Sequence, residues 1–202
     1  MDIIDTDAPK LKALAPRLEA LMKRARGDDE RDPLDYLLGA LHGLLQAKRL
    51  GFKDRDHALD DPRGRSPQGA EYWAYGPLAR VRLMAEGKLR VDGAWVAGFY
   101  FNSAVARMAA VFDRAVRRKA IQKGLDVDPR PRGSGPPPRV WDLLRALGLA
   151  TFTRGKLAHV YEETNPLKHK PAGLAKRRNV SMADATAAFE QMLALLEHPK
   201  MR

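Results

Sequence analysis

Three polar residues near position 165 have the types and spacing that acid–base chemistry on a phosphodiester requires. Asn165, Lys168 and His169 fall within one stretch of five residues. RNA cleavage without a metal ion needs a base near the 2′-hydroxyl, an acid near the leaving oxygen and a cation for the developing charge. Histidine serves as base or acid near neutral pH, and the like charge of Lys168 and Lys170 favours its neutral form. Asn165 would orient the phosphate or the imidazole if the turn between Asn165 and His169 is helical.

The residues that follow are strongly basic. Pro171 and Gly173 predict a loop here, and a loop with this charge can follow a phosphate backbone. We therefore predict a nucleic-acid-binding segment. Its five lysines and arginines, with no acidic residue among them, are Lys168, Lys170, Lys176, Arg177 and Arg178.

The same residues permit simpler interpretations. Asn165 and Pro166 are typical of a helix N-cap followed by proline at the first helical position, which needs no active site. A non-catalytic nucleic-acid-binding or regulatory protein would use the basic residues and dispense with His169. A helical protein-interaction module would use the charge for solubility alone.

The overall charge agrees with a polyanionic partner. The chain has 36 lysines and arginines against 25 aspartates and glutamates, for a formal net charge of +11. Such an excess favours nucleic acid as a partner. The chain has no cysteine, which excludes disulfides, iron–sulfur clusters, thiol nucleophiles and Cys-based zinc sites.

Familiar site motifs are missing from the sequence. It contains no Walker or dinucleotide-binding glycine loop, no HExxH pair and no Gly-x-Ser-x-Gly elbow. We expect no cofactor and no metal. Residues 1–12 include Asp2, Asp5 and Asp7 and lack the basic-then-apolar order of a signal peptide. Polar residues interrupt the most apolar stretch, 93–112. These features predict a cytoplasmic protein without a membrane span.

The elements that must position these residues are helices. Apolar residues recur at spacings of three and four, and no alternating strand pattern of useful length competes. We predict an all-α fold, a bundle of about six to seven helices in a single domain over residues 1–202. The predicted helices span 9–26, 33–48, 69–86, 92–123, 139–149 and 154–164, with a last helix starting at Ser181, and the predicted loops span 50–68 and 124–138. Because of Gly76 and Pro77, the segment 69–86 is either one bent helix or two short ones.

Capping residues and apolar faces refine this prediction. Asp32 is the expected N-cap of the second helix, with Pro33 at its first position. Ser181 and Asp184 form an expected capping box. The longest helix should bury one face, which consists of Trp95, Phe99, Asn102, Val105, Ala109 and Phe112.

The helix containing Phe99-Tyr-Phe-Asn102-Ser-Ala-Val-Ala-Arg107, followed at a distance by a helix ending in a polar-x-x-x-His element, resembles HEPN domains. These are all-helical RNA-binding and often ribonuclease modules of bacterial toxin and defence systems. The resemblance covers a core of about residues 69–198 and leaves the N-terminal helices 9–48 outside it. It implies paired long helices and a homodimer with a composite active site. A cognate regulatory protein is a further possible partner.

The catalytic element of that family has an arginine, usually followed by a polar residue, and then a histidine four to six residues after the arginine. Asn165 and His169 match the polar residue and the histidine, whereas Thr164 occupies the arginine position. Two interpretations follow from this departure. Lys168 or Arg107 supplies the missing cation to a metal-independent endoribonuclease, or the protein binds RNA without cutting it.

Overall fold

The computed structural model describes residues 7–52, 93–127, 139–169 and 180–201. Within these ranges the chain forms six α-helices, two short 3-10 turns and no strand, which confirms the all-α prediction. The predicted helix over 69–86 lies outside them, as do most of both predicted loops. The helices are α1 (Asp7–Arg24), α2 (Asp28–Arg49), α3 (Gly93–Gln122), α4 (Val140–Ala146), α5 (Lys156–His169) and α6 (Met182–Glu197), with 3-10 turns at Ala150–Thr153 and Pro199–Met201.

The leucines at helical spacing in α1 and α2 form one side of the core, as predicted. Burial of such a face against neighbouring helices is the main source of helix stability in a protein. Arg17 of α1 also donates two hydrogen bonds to the carboxylate of Glu197 in α6, at 3.1 and 2.5 Å. The buried leucines are Leu11, Leu14 and Leu18 in α1, and Leu34, Leu37, Leu41 and Leu44 in α2.

Helix α2 begins about one turn earlier than predicted. Its N-cap is Gly27, with a φ of 119° that favours glycine, and the prediction of Asp32 as the cap was wrong. The acidic residues Asp28–Glu30 fill the first turn, where negative charge interacts favourably with the helix dipole. Pro33 therefore lies inside the helix and not at its first position.

A contact from α3 compensates for this internal proline. Pro33 has no N–H to donate to the carbonyl of Asp29, one turn earlier. The guanidinium of Arg118 in α3 donates a hydrogen bond to that carbonyl instead. The first turn of α2 is thus completed by a residue 89 positions away in the sequence.

The most extensive packing joins α2 to α3, and a glycine makes the close approach possible. A β-carbon on Gly43 would lie 3.0 Å from the β-carbon of Ala104 and 3.1 Å from the carbonyl oxygen of Tyr100. Even a methyl group at position 43 would therefore require its neighbours on α3 to shift by a few tenths of an ångström. Asn102, Val105, Ala109 and Phe112 of the predicted α3 face are buried, and the side chains of Trp95 and Phe99 lie outside the described part of the chain.

Three helices end in the same way. The N–H of a glycine bonds to the carbonyl three residues before it, and the N–H of the next residue bonds to the carbonyl five residues before it. This Schellman arrangement needs a positive φ, which glycine adopts without strain. The apolar residue after each glycine packs against the core. The glycine and apolar pairs are Gly51–Phe52, Gly124–Leu125 and Gly148–Leu149.

Helix α6 begins with the predicted capping box. Asp184 N–H donates to the Ser181 hydroxyl at 3.0 Å, and Ser181 N–H donates to the Asp184 carboxylate at 3.1 Å. Lys156 of α5 lies 2.6 Å from the same carboxylate. Burial alone would raise the pKa of Asp184, but the hydrogen bonds from Lys156 and Ser181 outweigh it and lower the pKa to about 2.

We expect Asp184→Asn to lower the free energy of unfolding by about 1–2 kcal/mol at pH 7. Because the pKa is lower in the folded than in the unfolded chain, the carboxylate stabilises the fold above pH 4, and this contribution is lost as the pH falls towards 2. Urea unfolding of both proteins at pH 7, 5 and 3 measures the difference. A difference that does not shrink between pH 5 and pH 3 would contradict the assignment to charge.

Candidate nucleic-acid interface

The predicted catalytic residues lie on a continuous helix. Helix α5 runs from Lys156 to His169 and passes through Asn165 and Pro166 without a break. The N-cap interpretation of Asn165 and Pro166 is therefore wrong, and Asn165 and His169 lie about one helical turn apart. The side chains of Asn165, Lys168 and His169 lie outside the described part of the chain. The remaining predicted binding residues, Lys170, Lys176, Arg177 and Arg178, also lie outside it.

Thr164, the residue that the HEPN resemblance aligns with an arginine, is a core residue. Its side chain is buried, and its hydroxyl donates to the carbonyls of Val160 at 2.8 Å and of Tyr161 at 3.1 Å. Both contacts are within α5. Position 164 therefore points into the protein, where a charged guanidinium would have no access to an RNA substrate.

Aromatic residues attach α5 to α3 and α4. The ring of Tyr161 meets the rings of Phe112 and Trp141 edge-on, with centroids 5.1 and 5.4 Å apart. Aromatic rings prefer such edge-to-face contacts because ring edges are positive and ring faces negative. The cluster therefore fixes the orientation of α5, the helix that contains Asn165 and His169.

Hydrogen bonds to the Asp113 carboxylate lie at the edge of this aromatic cluster. The hydroxyl of Tyr161 donates to Asp113 at 2.9 Å, and Arg117 donates to the other carboxylate oxygen at 3.2 Å. Burial, together with the charge of Asp113, raises the pKa of Tyr161 above its ordinary value. Tyr161 therefore keeps its proton at physiological pH and acts as a hydrogen-bond donor that holds α5 to α3.

A separate basic and aromatic surface lies where α2 meets α3. The Tyr36 ring on α2 is 47% exposed, and two guanidinium carbons of α3 lie near its centroid, that of Arg107 at 5.8 Å and that of Arg114 at 5.6 Å. These are cation–π distances. We call Tyr36, Arg107 and Arg114 the Tyr36 patch.

Gly39 makes room for one of the two arginines. A β-carbon at Gly39 would overlap the guanidinium of Arg107 and lie 3.4 Å from its central carbon. Gly39 stands three residues after Tyr36, so both lie on the same face of α2. The absence of a side chain at position 39 therefore allows Arg107 to lie across α2 towards the ring.

No described carboxylate offsets the positive charge of the patch. Among the described residues, no carboxylate lies within ion-pair distance of Arg107 or Arg114. Both arginines are exposed, seven residues and about 10.5 Å apart along α3. Exposed guanidinium groups beside an exposed ring can contact phosphates and stack a base.

Arg107 was a predicted substitute for the missing catalytic arginine. Its described contacts are with α2, whereas α5 reaches α3 through Phe112 and Asp113. At 100° per residue, these positions lie on a different side of α3 from Arg107. The described contacts therefore place Arg107 in the Tyr36 patch and do not bring it to α5.

Sequence reasoning missed the Tyr36 patch. One usable signal was the spacing of seven that links Tyr100, Arg107, Arg114 and Ile121 along α3, because residues seven apart lie on one helix face. All four are exposed. Their proximity to Tyr36 depends on how α2 and α3 pack, which no local pattern reveals.

The described part of the chain shows neither a metal-binding cluster nor a membrane-spanning helix. In the described ranges, no three histidine, aspartate or glutamate side chains converge in a way that could hold a metal ion. None of the described helices combines the length and the apolar character needed to cross a membrane. No family model, curated protein or solved structure matches the chain.

Proposed function

We propose that this protein is a HEPN-like RNA-binding protein that contacts single-stranded RNA through the Tyr36 patch and the basic residues 168–178. The main support is the exposed ring of Tyr36 between Arg107 and Arg114, neither of which pairs with a described carboxylate. The net charge of +11 adds long-range attraction for a polyanion.

The arrangement matches the requirements of a single strand. Arginines bind phosphates along the backbone, and an aromatic ring accepts a base of any sequence because every base has a π-face. Bases inside a duplex are stacked on one another and cannot use the ring. Single-stranded RNA should therefore bind more tightly than a duplex of equal length.

We expect Tyr36→Ala to weaken binding of a single-stranded RNA by about 1–3 kcal/mol, the value for loss of one stacked base. Arg107→Gln combined with Arg114→Gln should weaken binding and reduce its salt dependence. The slope of log K against log salt should become less negative by about 1.4. Fluorescence anisotropy of a labelled RNA at several salt concentrations measures both effects.

Arg145→Gln combined with Arg154→Gln is the matched control. It removes the same charge from exposed positions on and after α4. An equal loss of affinity in the control would contradict a localised patch and indicate diffuse electrostatic attraction. Absent or salt-insensitive binding would contradict RNA binding itself and favour the protein-interaction module.

Metal-independent RNA cleavage is the second candidate function. It is supported by the unbroken course of α5 through Asn165 and His169, which puts positions 165 and 169 about one helical turn apart. Lys168 lies between these two residues in the sequence and is the candidate cation. The HEPN resemblance adds a homodimer in which two copies of this element form one composite site. In such a protein the Tyr36 patch would bind substrate and α5 would carry out the chemistry.

A further inference from the structure

A cleft distinct from the Tyr36 patch lies between α1, α2 and α3. Its volume is about 490 Å³, within the range of small-molecule sites. The last turn of α1, the first turns of α2 and the second half of α3 form its walls, and Met201 near the chain's end lies against it. Its lining combines cationic residues, here called the rim, with aliphatic residues, here called the floor, and these two groups suggest the class of ligand.

The rim carries an excess of positive charge. Four cationic side chains line the cleft with one carboxylate, that of Glu30, which accepts a hydrogen bond from the Arg26 backbone N–H at 2.8 Å. Lys119 is largely buried, whereas Arg24 and Arg26 are exposed. The four cations are Arg24, Arg26, Arg118 and Lys119.

Arg118 is held at this rim by its hydrogen bond to the carbonyl of Asp29, which Pro33 leaves without a helical donor. A guanidinium that is already positioned loses less side-chain entropy when it binds an anionic head group. Arg118 and Lys119 are consecutive in α3, so both charges reach the cleft from one rigid element.

The floor is aliphatic. None of the described lining residues is aromatic, so the cleft offers no surface for stacking a nucleobase. Leucine, alanine and methionine side chains favour a flexible hydrocarbon chain instead. The floor residues are Leu21, Leu34, Ala115, Leu196 and Met201.

We propose that this cleft binds a small amphipathic anion, a single-chain aliphatic carboxylate with its head group at the rim arginines Arg24, Arg26 and Arg118 and its chain on the apolar floor. The proposal is independent of RNA binding, because it involves none of the residues of the Tyr36 patch. It assigns a second ligand class to the protein.

Calorimetric titration of the protein with hexanoate, octanoate and decanoate tests the proposal. We expect affinity to rise with chain length, by up to about fourfold for each methylene that is fully buried. Inorganic phosphate serves as a head group without a chain and should bind more weakly than decanoate. Affinity that does not change from hexanoate to decanoate, or phosphate binding as tight as that of decanoate, would overturn the amphipathic assignment.

Two variants locate the site. Arg24→Gln combined with Arg26→Gln removes exposed rim charges and should weaken decanoate binding about fivefold or more. Ala115→Leu places a larger side chain among the floor residues without lowering helix propensity much. It should remove the dependence of affinity on chain length. Arg145→Gln combined with Arg154→Gln is the charge-matched control, expected to bind normally. Equal losses in the control and the rim variant, or an Ala115→Leu protein that keeps the chain-length dependence, would place binding elsewhere and refute the proposal.

Discussion

Phe112→Ala is expected to lower the free energy of unfolding by about 3–5 kcal/mol, a large fraction of the stability of a domain of this size. Phe112 is fully buried, and its ring contacts those of Trp141 and Tyr161 from two other helices. The substitution leaves a cavity at the point where α3, α4 and α5 meet. Urea unfolding followed by circular dichroism measures the loss.

Two control variants separate burial from helix propensity. Ile121→Ala truncates a side chain on the same helix that is 60% exposed, and should change stability by less than about 0.5 kcal/mol. Phe112→Leu retains much of the apolar volume and should cost less than Phe112→Ala. If Phe112→Ala unfolds at the same urea concentration as Ile121→Ala, the aromatic cluster does not hold α5 in place.

His169→Ala is expected to reduce RNA cleavage in EDTA by about 10²–10⁴-fold, the usual contribution of a general acid or base. RNA binding should change little, because most of the phosphate contacts are assigned to lysines and arginines. A labelled single-stranded RNA, incubated with each protein and analysed for both bound and cleaved fractions, gives the two results from one sample.

His159→Ala supplies the matched control for this prediction. It removes the other histidine of α5, a partly exposed residue ten positions earlier, and should leave cleavage unchanged. Cleavage that survives His169→Ala would reject the catalytic role of His169. Binding without cleavage by the unmodified protein would identify a non-catalytic RNA-binding protein, and failure of both would favour the interaction module.

Periodicity and capping chemistry predict much of this fold because they act over a few residues. The leucine spacing in α1 and α2 predicted the buried leucines, and the Ser181–Asp184 capping box is present as expected. The all-α class follows from the same local signals. Each of these features depends on residues at most one or two turns apart.

Features that depend on tertiary contacts could not be predicted in this way. Pro33 predicted a helix start, but a carbonyl contact from Arg118 allows the helix to begin at Asp28. Tyr161 and Asp113 are 48 residues apart in sequence, and no motif links them. The Tyr36 patch likewise depends on the packing of α2 against α3. The predicted site at Asn165 and His169 remains a hypothesis that the cleavage assay decides.

The buried hydroxyl of Thr164 constrains how this sequence can evolve. An arginine at position 164 would bring an unpaired charge into the core beside Val160 and Tyr161, at a cost of several kcal/mol. A typical domain has little stability beyond that amount. An arginine at position 164 is therefore not reached from this chain by a single tolerated mutation. Any descendant that acquired it would first have to change how α5 packs.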